Sequence, residues 1–287
     1  MTVNFNKLFL IDGNSIICRF FYGLPEKKSP DGLNVNGVFG FTRFLCNFLH
    51  QETQKGLLED TNISIIVCFD KAVNNFRKDL SPSYKKNRKP FSENFFHQIR
   101  LCEEVCGNFH LLLDHHHQYE ADDLIASYCK NYNNRKDLEI IVLSNDKDLL
   151  QLVNKNTTVF NVAKKKYFKE KDVLENMQIH PSQIAEFLAI AGDASDNISG
   201  ILNIGPKNTI KLLQQYGNLE NIINSKEGQL RDFTPARNFL KLTKLEDAAP
   251  VQHSRLVPYH LPYEKITACL HRYGFYELFK YFNGNIL

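Results

Sequence analysis

Glu139-Ile140-Ile141-Val142-Leu143-Ser144 is a nearly unbroken apolar run that opens directly onto Asn145-Asp146-Lys147-Asp148. Two other stretches have the same form. Lys7-Leu8-Phe9-Leu10-Ile11 ends in Asp12, and Ile63-Ser64-Ile65-Ile66-Val67-Cys68-Phe69 ends in Asp70. Runs that are apolar at successive positions suit strands buried on both faces, as in parallel sheets. Between them lie helical patterns, one through Val38, Phe41, Phe44, Leu45, Phe48 and Leu49, another through Ile99, Leu101, Cys102, Val105 and Cys106. The alternation predicts an α/β fold with a mostly parallel central sheet and helices on both faces. The aspartates then lie at the carboxyl ends of strands, the edge where open parallel sheets place their ligands.

A fourth acidic stretch, Tyr119-Glu120-Ala121-Asp122-Asp123-Leu124-Ile125-Ala126-Ser127, starts an amphipathic helix with three carboxylates in four residues. An acidic first turn can do no more than complement the helix dipole. If the stretch joins the strand ends, however, seven carboxylates (Asp12, Asp70, Glu120, Asp122, Asp123, Asp146 and Asp148) crowd one cleft. Uncompensated, each raises its neighbours' pKa values. Hard divalent cations remove that penalty, and Mg²⁺, which keeps several waters, suits a loose carboxylate ring. Glu120 and Asp123 are three apart and share a helix face. Asp122 falls about 200° round from Glu120, so it is expected to act through water or not at all.

Phe76 to Phe91 is a different kind of segment. Six basic residues fall within thirteen (77–89), with Phe76, Tyr84 and Phe91 interleaved, and Pro82 and Pro90 break any long helix. The bland reading is a solvated loop. Cations with aromatics also fit a nucleic-acid strand, with phosphates on Lys and Arg and bases on rings. From about residue 180 the chain turns helical. Pro181 to Ile190 leads into Gly192-Asp193-Ala194-Ser195-Asp196-Asn197, and Gly205-Pro206-Lys207 opens another helix whose free amides suit phosphate. Residues 218–248 read as further helices, and Ile266, Leu270, Tyr273, Leu278 and Phe279 as a last one.

Composition narrows the class. The 287 residues are 43% hydrophobic and 23% charged, as in ordinary globular proteins. A net charge of +3 leaves any polyanion argument to local patches. No apolar run is long enough for a bilayer span, and the start of the chain lacks signal-peptide features. Seven cysteines, mostly in apolar segments, point to buried thiols in a reducing cytoplasm. His115-His116-His117 reads as a solvated turn, and Lys164-Lys165-Lys166 as a surface hairpin or turn.

Taken together, Leu10-Ile11-Asp12-Gly13-Asn14-Ser15 with Arg19 and Tyr22, Val67-Cys68-Phe69-Asp70 with Phe76-Arg77 and Tyr84-Lys85-Lys86-Asn87-Arg88, Tyr119 to Asp123, Ser144 to Leu149, and Gly192 to Asn197 with Ile204 to Lys207 resemble the 5′-nuclease domain of bacterial DNA polymerase I and free-standing 5′–3′ exonucleases, of the flap-endonuclease superfamily. The resemblance implies a PIN-like catalytic domain at 1–178 with a helical arch at about 76–95. It implies a helical C-terminal domain at 179–287 with a DNA-binding helix–hairpin–helix at about 186–216. It implies two metals, one held by Asp12, Asp70, Glu120, Asp122 and Asp123, the other by Asp146, Asp148, Asp193 and Asp196. Lys85 and Arg88 would act in catalysis with Asp70, Asp123 and Asp146. Arg19, Arg77, Tyr84, Lys85, Lys86, Arg88, Asn203, Gly205 and Lys207 would contact DNA, Tyr84 by stacking. The implied cofactors are two Mg²⁺, replaceable by Mn²⁺, with K⁺ at the hairpin. The implied activity is structure-specific cleavage of flapped, nicked or pseudo-Y DNA near 5′ ends in primer or flap removal and repair, by a cytoplasmic monomer with a DNA polymerase in cis or in trans. The alternatives are a nuclease-inactive DNA-binding module of the same fold and an RNA-cleaving nuclease. One departure stands out: the family's hairpin glycine is here Asn203, which reaches positive φ less freely.

Overall fold

The computed structural model describes residues 5–55, 63–71, 75–253 and 256–282; the first four residues of the start considered above lie outside this set. The chain runs β1 (Lys7–Asp12), α1 (Gly13–Gly23), α2 (Asn36–Gln54), β2 (Ile63–Cys68), α3 (Phe76–Leu80), α4 (Glu93–Asn108), β3 (Leu112–Asp114), α5 (Ala121–Tyr132), β4 (Glu139–Ser144), β5 (Thr157–Asn161) and β6 (Lys166–Phe168). Then come α6 (Glu170–Met177), α7 (Ile184–Ala191), α8 (Pro206–Tyr216), α9 (Leu219–Ile223), α10 (Lys226–Leu230), α11 (Ala236–Thr243) and α12 (Tyr263–Tyr273).

The strands form one sheet in the order β3-β2-β1-β4-β5-β6, parallel except for the antiparallel β5–β6 hairpin. Lys164 to Lys166 lie at that hairpin's tip. β2 is buried along its whole length and β1 from its second residue onward, as the continuous apolar runs require. Side chains alternate between two cores. Leu8, Leu10, Ile140 and Val142 pack with α5, α7, α8 and α9 on one face. Phe9, Ile11, Ile65 and Ile141 pack with α1, α2, α4 and α12 on the other. The helices therefore cover both faces, as predicted.

The first core does not stop at residue 178. Val173, Ile179, Ile184 and Leu213 belong to the same apolar cluster as the strand residues. The last segment crosses to the opposite face, where Ile266, Cys269, Leu270 and Leu278 pack with α2 and α4. The six cysteines outside α1 are buried and all seven are unbridged. No helix among the described residues is long and apolar enough to cross a membrane.

Because β2 and β4 flank β1 on opposite sides, the strand order reverses direction at β1. Its carboxyl end is a topological switch point, where a crevice forms outside the sheet. Asp12 stands there, opposite Cys68 of β2, with Ser144 at the end of β4.

Candidate active site

Asp12 ends β1 and caps α1. Its Oδ1 accepts from the Ser15 amide at 3.0 Å and its Oδ2 from the Ser144 hydroxyl at 2.6 Å. Asp70 lies two residues past β2, and its Oδ1 accepts from the Ala121 amide at the start of α5 at 2.6 Å. Beyond β4 the Asp146 amide donates to Ser144 Oγ, and the Asp148 amide to Asp146 Oδ1 at 2.9 Å. Glu120 is the N-cap of α5, in a capping box with Asp123.

Asp193 and Asp196 come from a tight turn after α7. Gly192 (φ 86) and Gly200 (φ 66) close that turn, where a Cβ would lie 2.8 Å or less from backbone atoms. Only glycine fits such positions. The following turn places Asn203 at φ 60, so asparagine takes the left-handed conformation itself. Asn203, Gly205 and Lys207 are exposed where α8 begins.

These elements bring eight carboxylates (Asp12, Asp70, Glu120, Asp122, Asp146, Asp148, Asp193 and Asp196) to the walls of one cleft of about 710 Å³. Arg19, Arg77, Lys85, Arg88 and Lys147 also line it. The segment after α3 lies folded against the acidic turn rather than standing clear of it. The Lys85 amide donates to the Asp196 carbonyl at 3.0 Å, Asn87 Nδ2 to the Ala194 carbonyl at 2.6 Å, and Asn197 Nδ2 to the Ser83 carbonyl at 2.8 Å. The Lys85 ammonium reaches Glu120 at 2.6 Å, and the Arg88 guanidinium pairs with Asp196. Lys86 is exposed.

Four sequence expectations are corrected here. Asp123 does not face the cleft. It is fully buried, and Arg77 grips it with two hydrogen bonds of 2.7 Å, while the Glu246 and Glu120 amides donate to the same carboxylate. Arg77 is correspondingly 1% exposed and anchored to the Leu242 and Lys244 carbonyls, so although it forms part of the cleft wall its guanidinium is taken up in holding the helical part in place. Tyr84 is also buried, its ring against Ile198 and Leu242 and its hydroxyl donating to Glu120 at 3.1 Å, so it presents no stacking face. Asp122, expected from its helical position to act through water or not at all, lines the cleft. The helical-wheel argument failed because Glu120 is the cap, with extended backbone, and does not follow the helix's angular spacing.

Crowding shows in the proton affinities. Burial, with Asp70 and Asp146 nearby, pushes the Asp12 carboxyl up to about 7. Burial and Asp146 do the same to Asp148, also to about 7. Asp122 is pushed well above the usual range by desolvation and by Asp12, Asp146 and Asp70. Burial would also raise Glu120, but Lys85 and Arg77 outweigh it and hold its carboxyl low. Asp193 is likewise held low, against its burial, by Ser195 and Lys147.

A cleft of carboxylate oxygens whose negative charges oppose one another matches what hard divalent cations bind. Asp148 Oδ1 is buried with no hydrogen-bond partner, which leaves an acceptor free for such an ion. Among the described residues no group of three or more His, Cys, Asp or Glu side chains is gathered closely enough to hold a metal ion as the side chains stand. In this arrangement Lys85 and Arg88 are paired with two of the acids, Glu120 and Asp196. Ser144, Asn14 and Asn75 are parts of the site that the sequence reading passed over. Ser144 orients Asp12, Asn14 accepts from the Asp70 amide at 2.9 Å, and Asn75 donates to Glu120 at 2.9 Å. Asn14 and Ser144 had only their position as a signal, two residues from Asp12 and Asp146, and Asn75, five residues after Asp70, had none.

Residues 7–178 match the family model described as 5′-3′ exonuclease, N-terminal resolvase-like domain, and residues 179–255 match 5′-3′ exonuclease, C-terminal SAM fold. The 5′-3′ exonuclease of Aquifex aeolicus is 32% identical over 230 residues, covering 80% of this chain and 76% of that protein. DNA polymerase I of Caldicellulosiruptor bescii is 34% identical over 222 residues, covering 75% of this chain but 25% of that protein. The chain thus spans about a quarter of the polymerases it matches. Among solved structures, T5 5′-exonuclease with bound divalent metal ions (zinc) aligns with a TM-score of 0.67 at 21% identity, covering 93% of this chain and 99% of that one. The catalytic core of Rad2 in complex with DNA substrate aligns at 0.64 and 16% identity, covering 99% and 93%. At these identities the two structures bear on the fold alone.

Proposed function

The chain belongs to the 5′–3′ exonuclease family, and from that premise we propose that it hydrolyses DNA phosphodiester bonds near 5′ ends, recognising flapped, nicked or pseudo-Y structures. The observation that carries this reading is the convergence of eight carboxylates from widely separated segments on one cleft, with two cations from one basic segment over them.

The division of labour follows from the side chains. Asp12, Asp70, Glu120 and Asp122 are the proposed ligands of one divalent cation, and Asp146, Asp148, Asp193 and Asp196 of a second, Mg²⁺ with Mn²⁺ as substitute. When bound, such ions supply Lewis acidity and neutralise charge at the scissile phosphate. Ser144 and the Ser15 amide fix the Asp12 carboxylate, so its oxygens are aimed before substrate arrives. Lys85 and Arg88, now paired with Glu120 and Asp196, are the groups that would turn to the phosphoryl oxygens as negative charge gathers there. Arg19, exposed on the cleft wall, and Lys86 are proposed contacts for the strand's phosphates.

The α7–α8 hairpin offers backbone amides, Gly205 and Lys207 at a helix start, a natural grip on duplex phosphates with no base readout. Its Asn203 turn is the proposed K⁺ position. We assign 1–178 to catalysis, with the basic segment at about 76–95 as the gate, and 179–287 to duplex binding. A cytoplasmic monomer working with a polymerase, in cis or in trans, in primer or flap removal and repair completes the proposal. A 5′-flap duplex incubated with Mg²⁺ tests it. Short 5′ oligonucleotides should be released, and Asp70→Ala should abolish them. Binding with no cleavage above that variant leaves an inactive DNA-binding module.

A further inference from the structure

Tyr84 is buried, yet exposed aromatic rings cluster around Phe91 and Phe95 of the cleft wall. Tyr22 is 65%, Phe91 41% and Phe96 49% exposed. They are arranged about one buried ring, Phe95. Phe91 stacks on Phe95 with centroids 4.2 Å apart and planes 23° apart. Tyr22 lies nearly parallel to Phe95 at 6.2 Å, and Phe96 meets Phe91 edge-on at 6.1 Å. Phe21 wedges edge-on against both Tyr22 and Phe95 at 5.0 Å, which fixes the set from behind.

Phe91 and Phe95 are walls of the acidic cleft, together with Arg19 and Arg88. Lys89, two residues before Phe91, is exposed, as is Lys86. The rings sit on α1, on α4 and on the segment between α3 and α4, on the face of the sheet covered by α1 and α4. The α7–α8 hairpin covers the other face. A strand held by the hairpin and drawn over the carboxylates would pass from one face to the other and meet these rings. Large apolar faces kept in water beside cations and a phosphate-binding cleft match the surface that takes nucleobases: every base has a π-face, and the cations neutralise its backbone.

We propose that Tyr22, Phe91 and Phe96 form a stacking platform for the unpaired bases of the 5′ strand next to the scissile phosphate, the positioning role for which Tyr84 is not available. The inference rests on the nuclease reading above and adds base contacts to a site otherwise built for backbone. Stacking grows with ring area, so an unpaired purine at the junction should be held better than a pyrimidine, with no strict sequence requirement.

The test uses a 5′-flap duplex with 2-aminopurine as the first unpaired nucleotide, in chelator so that it binds without turnover. The wild-type protein should quench the probe. Phe91→Leu and the double variant Tyr22→Leu/Phe96→Leu should release the quench and weaken binding in anisotropy by about 5- to 150-fold, the usual range for losing a base–aromatic stack. An abasic site at the same position should weaken the wild type by the same factor and the variants no further. Unchanged quench and affinity in the variants, an abasic flap bound as tightly as a normal one, or a probe that responds only when moved into the paired duplex would each overturn the platform. Cleavage of the unlabelled flap with Mg²⁺ is run alongside. If the wild type does not cleave, the nuclease reading has failed. If it cleaves and the probe is silent, only the platform has.

Discussion

Arg77 and Asp123 meet inside the protein with both arms of the guanidinium engaged, and their neighbours Glu120 and Asp122 face the cleft. Adjacent carboxylates therefore carry opposite duties, and substitution should separate them. Asp123→Asn takes from a buried guanidinium its main counter-charge, leaving only Glu120 at 3.5 Å, and should destabilise the fold by about 3–5 kcal/mol, read as a shift in urea midpoint. Asp122→Asn removes a carboxyl whose charged form burial and the neighbouring acids disfavour, so it should keep or raise the midpoint while weakening divalent-ion binding in calorimetry. If Asp123→Asn matches the wild type in urea, the buried-pair account is wrong. Lys85→Ala should leave flap binding nearly intact and lower single-turnover cleavage by about 10²–10³, the scale of losing one donor to developing charge. At this scale the sequence was legible where an acid closed an apolar run, as at Asp12, Asp70 and Asp146. It was misread where a cap intervened, at Asp122 and Asp123, and where a basic segment turned inward. Nothing in Tyr84-Lys85-Lys86-Asn87-Arg88 says that the ring will be covered by Ile198 and Leu242, residues more than a hundred positions away.

Strands β1, β2 and β4 were plain because two-sided burial leaves a run of apolar residues with no alternation to misinterpret. β3 and β6, three residues each, give periodicity too little length. The strand ends also set a pH dependence. Asp12 and Asp148 rise from an ordinary 3.8 to about 7 in the folded, metal-free protein. Between about pH 4 and 7 the folded state therefore binds protons that the unfolded state has released, so stability falls as pH rises through this window and levels off above it. Glu120, held low, acts only below its ordinary 4.5, in the opposite sense. The melting temperature in chelator should thus drop from pH 5 to 7.5. Millimolar Mg²⁺ should restore it at pH 7.5 and do little at pH 5, where protons compete for the same oxygens. A melting temperature that climbs steadily from pH 5 to 7.5 in chelator would contradict this. The turn between α7 and α8 makes a separate case. Gly200→Ala carries the strain of positive φ, about 1–3 kcal/mol, and drives a Cβ into the Gly192 amide 2.4 Å away. It should disturb Asp193 and Asp196 together, seen as loss of both stability and cleavage.

Across the whole molecule, a net charge of +3 hides a strong segregation, with acids in the cleft and lysines at its rim and on the hairpin. Flap affinity should fall steeply with salt even so, and Lys207→Ala should lower the slope of log K against log salt by about 1. A slope that does not change removes Lys207 from the phosphate contacts. Fold class and the α7–α8 hairpin followed from sequence pattern and resemblance, whereas the return of 256–282 to the far face did not, since no local spacing encodes which surface a late helix covers. The apolar cluster that runs unbroken from β1 and β4 through Ile179, Ile184 and Leu213 has one last consequence. Under the proposed function, the span between the hairpin that would grip duplex and the cleft that would cut the backbone is set by close-packed side chains instead of a tether, so it would work as a ruler. Cut position, counted in nucleotides from the junction, should stay constant across flap lengths and temperatures up to melting.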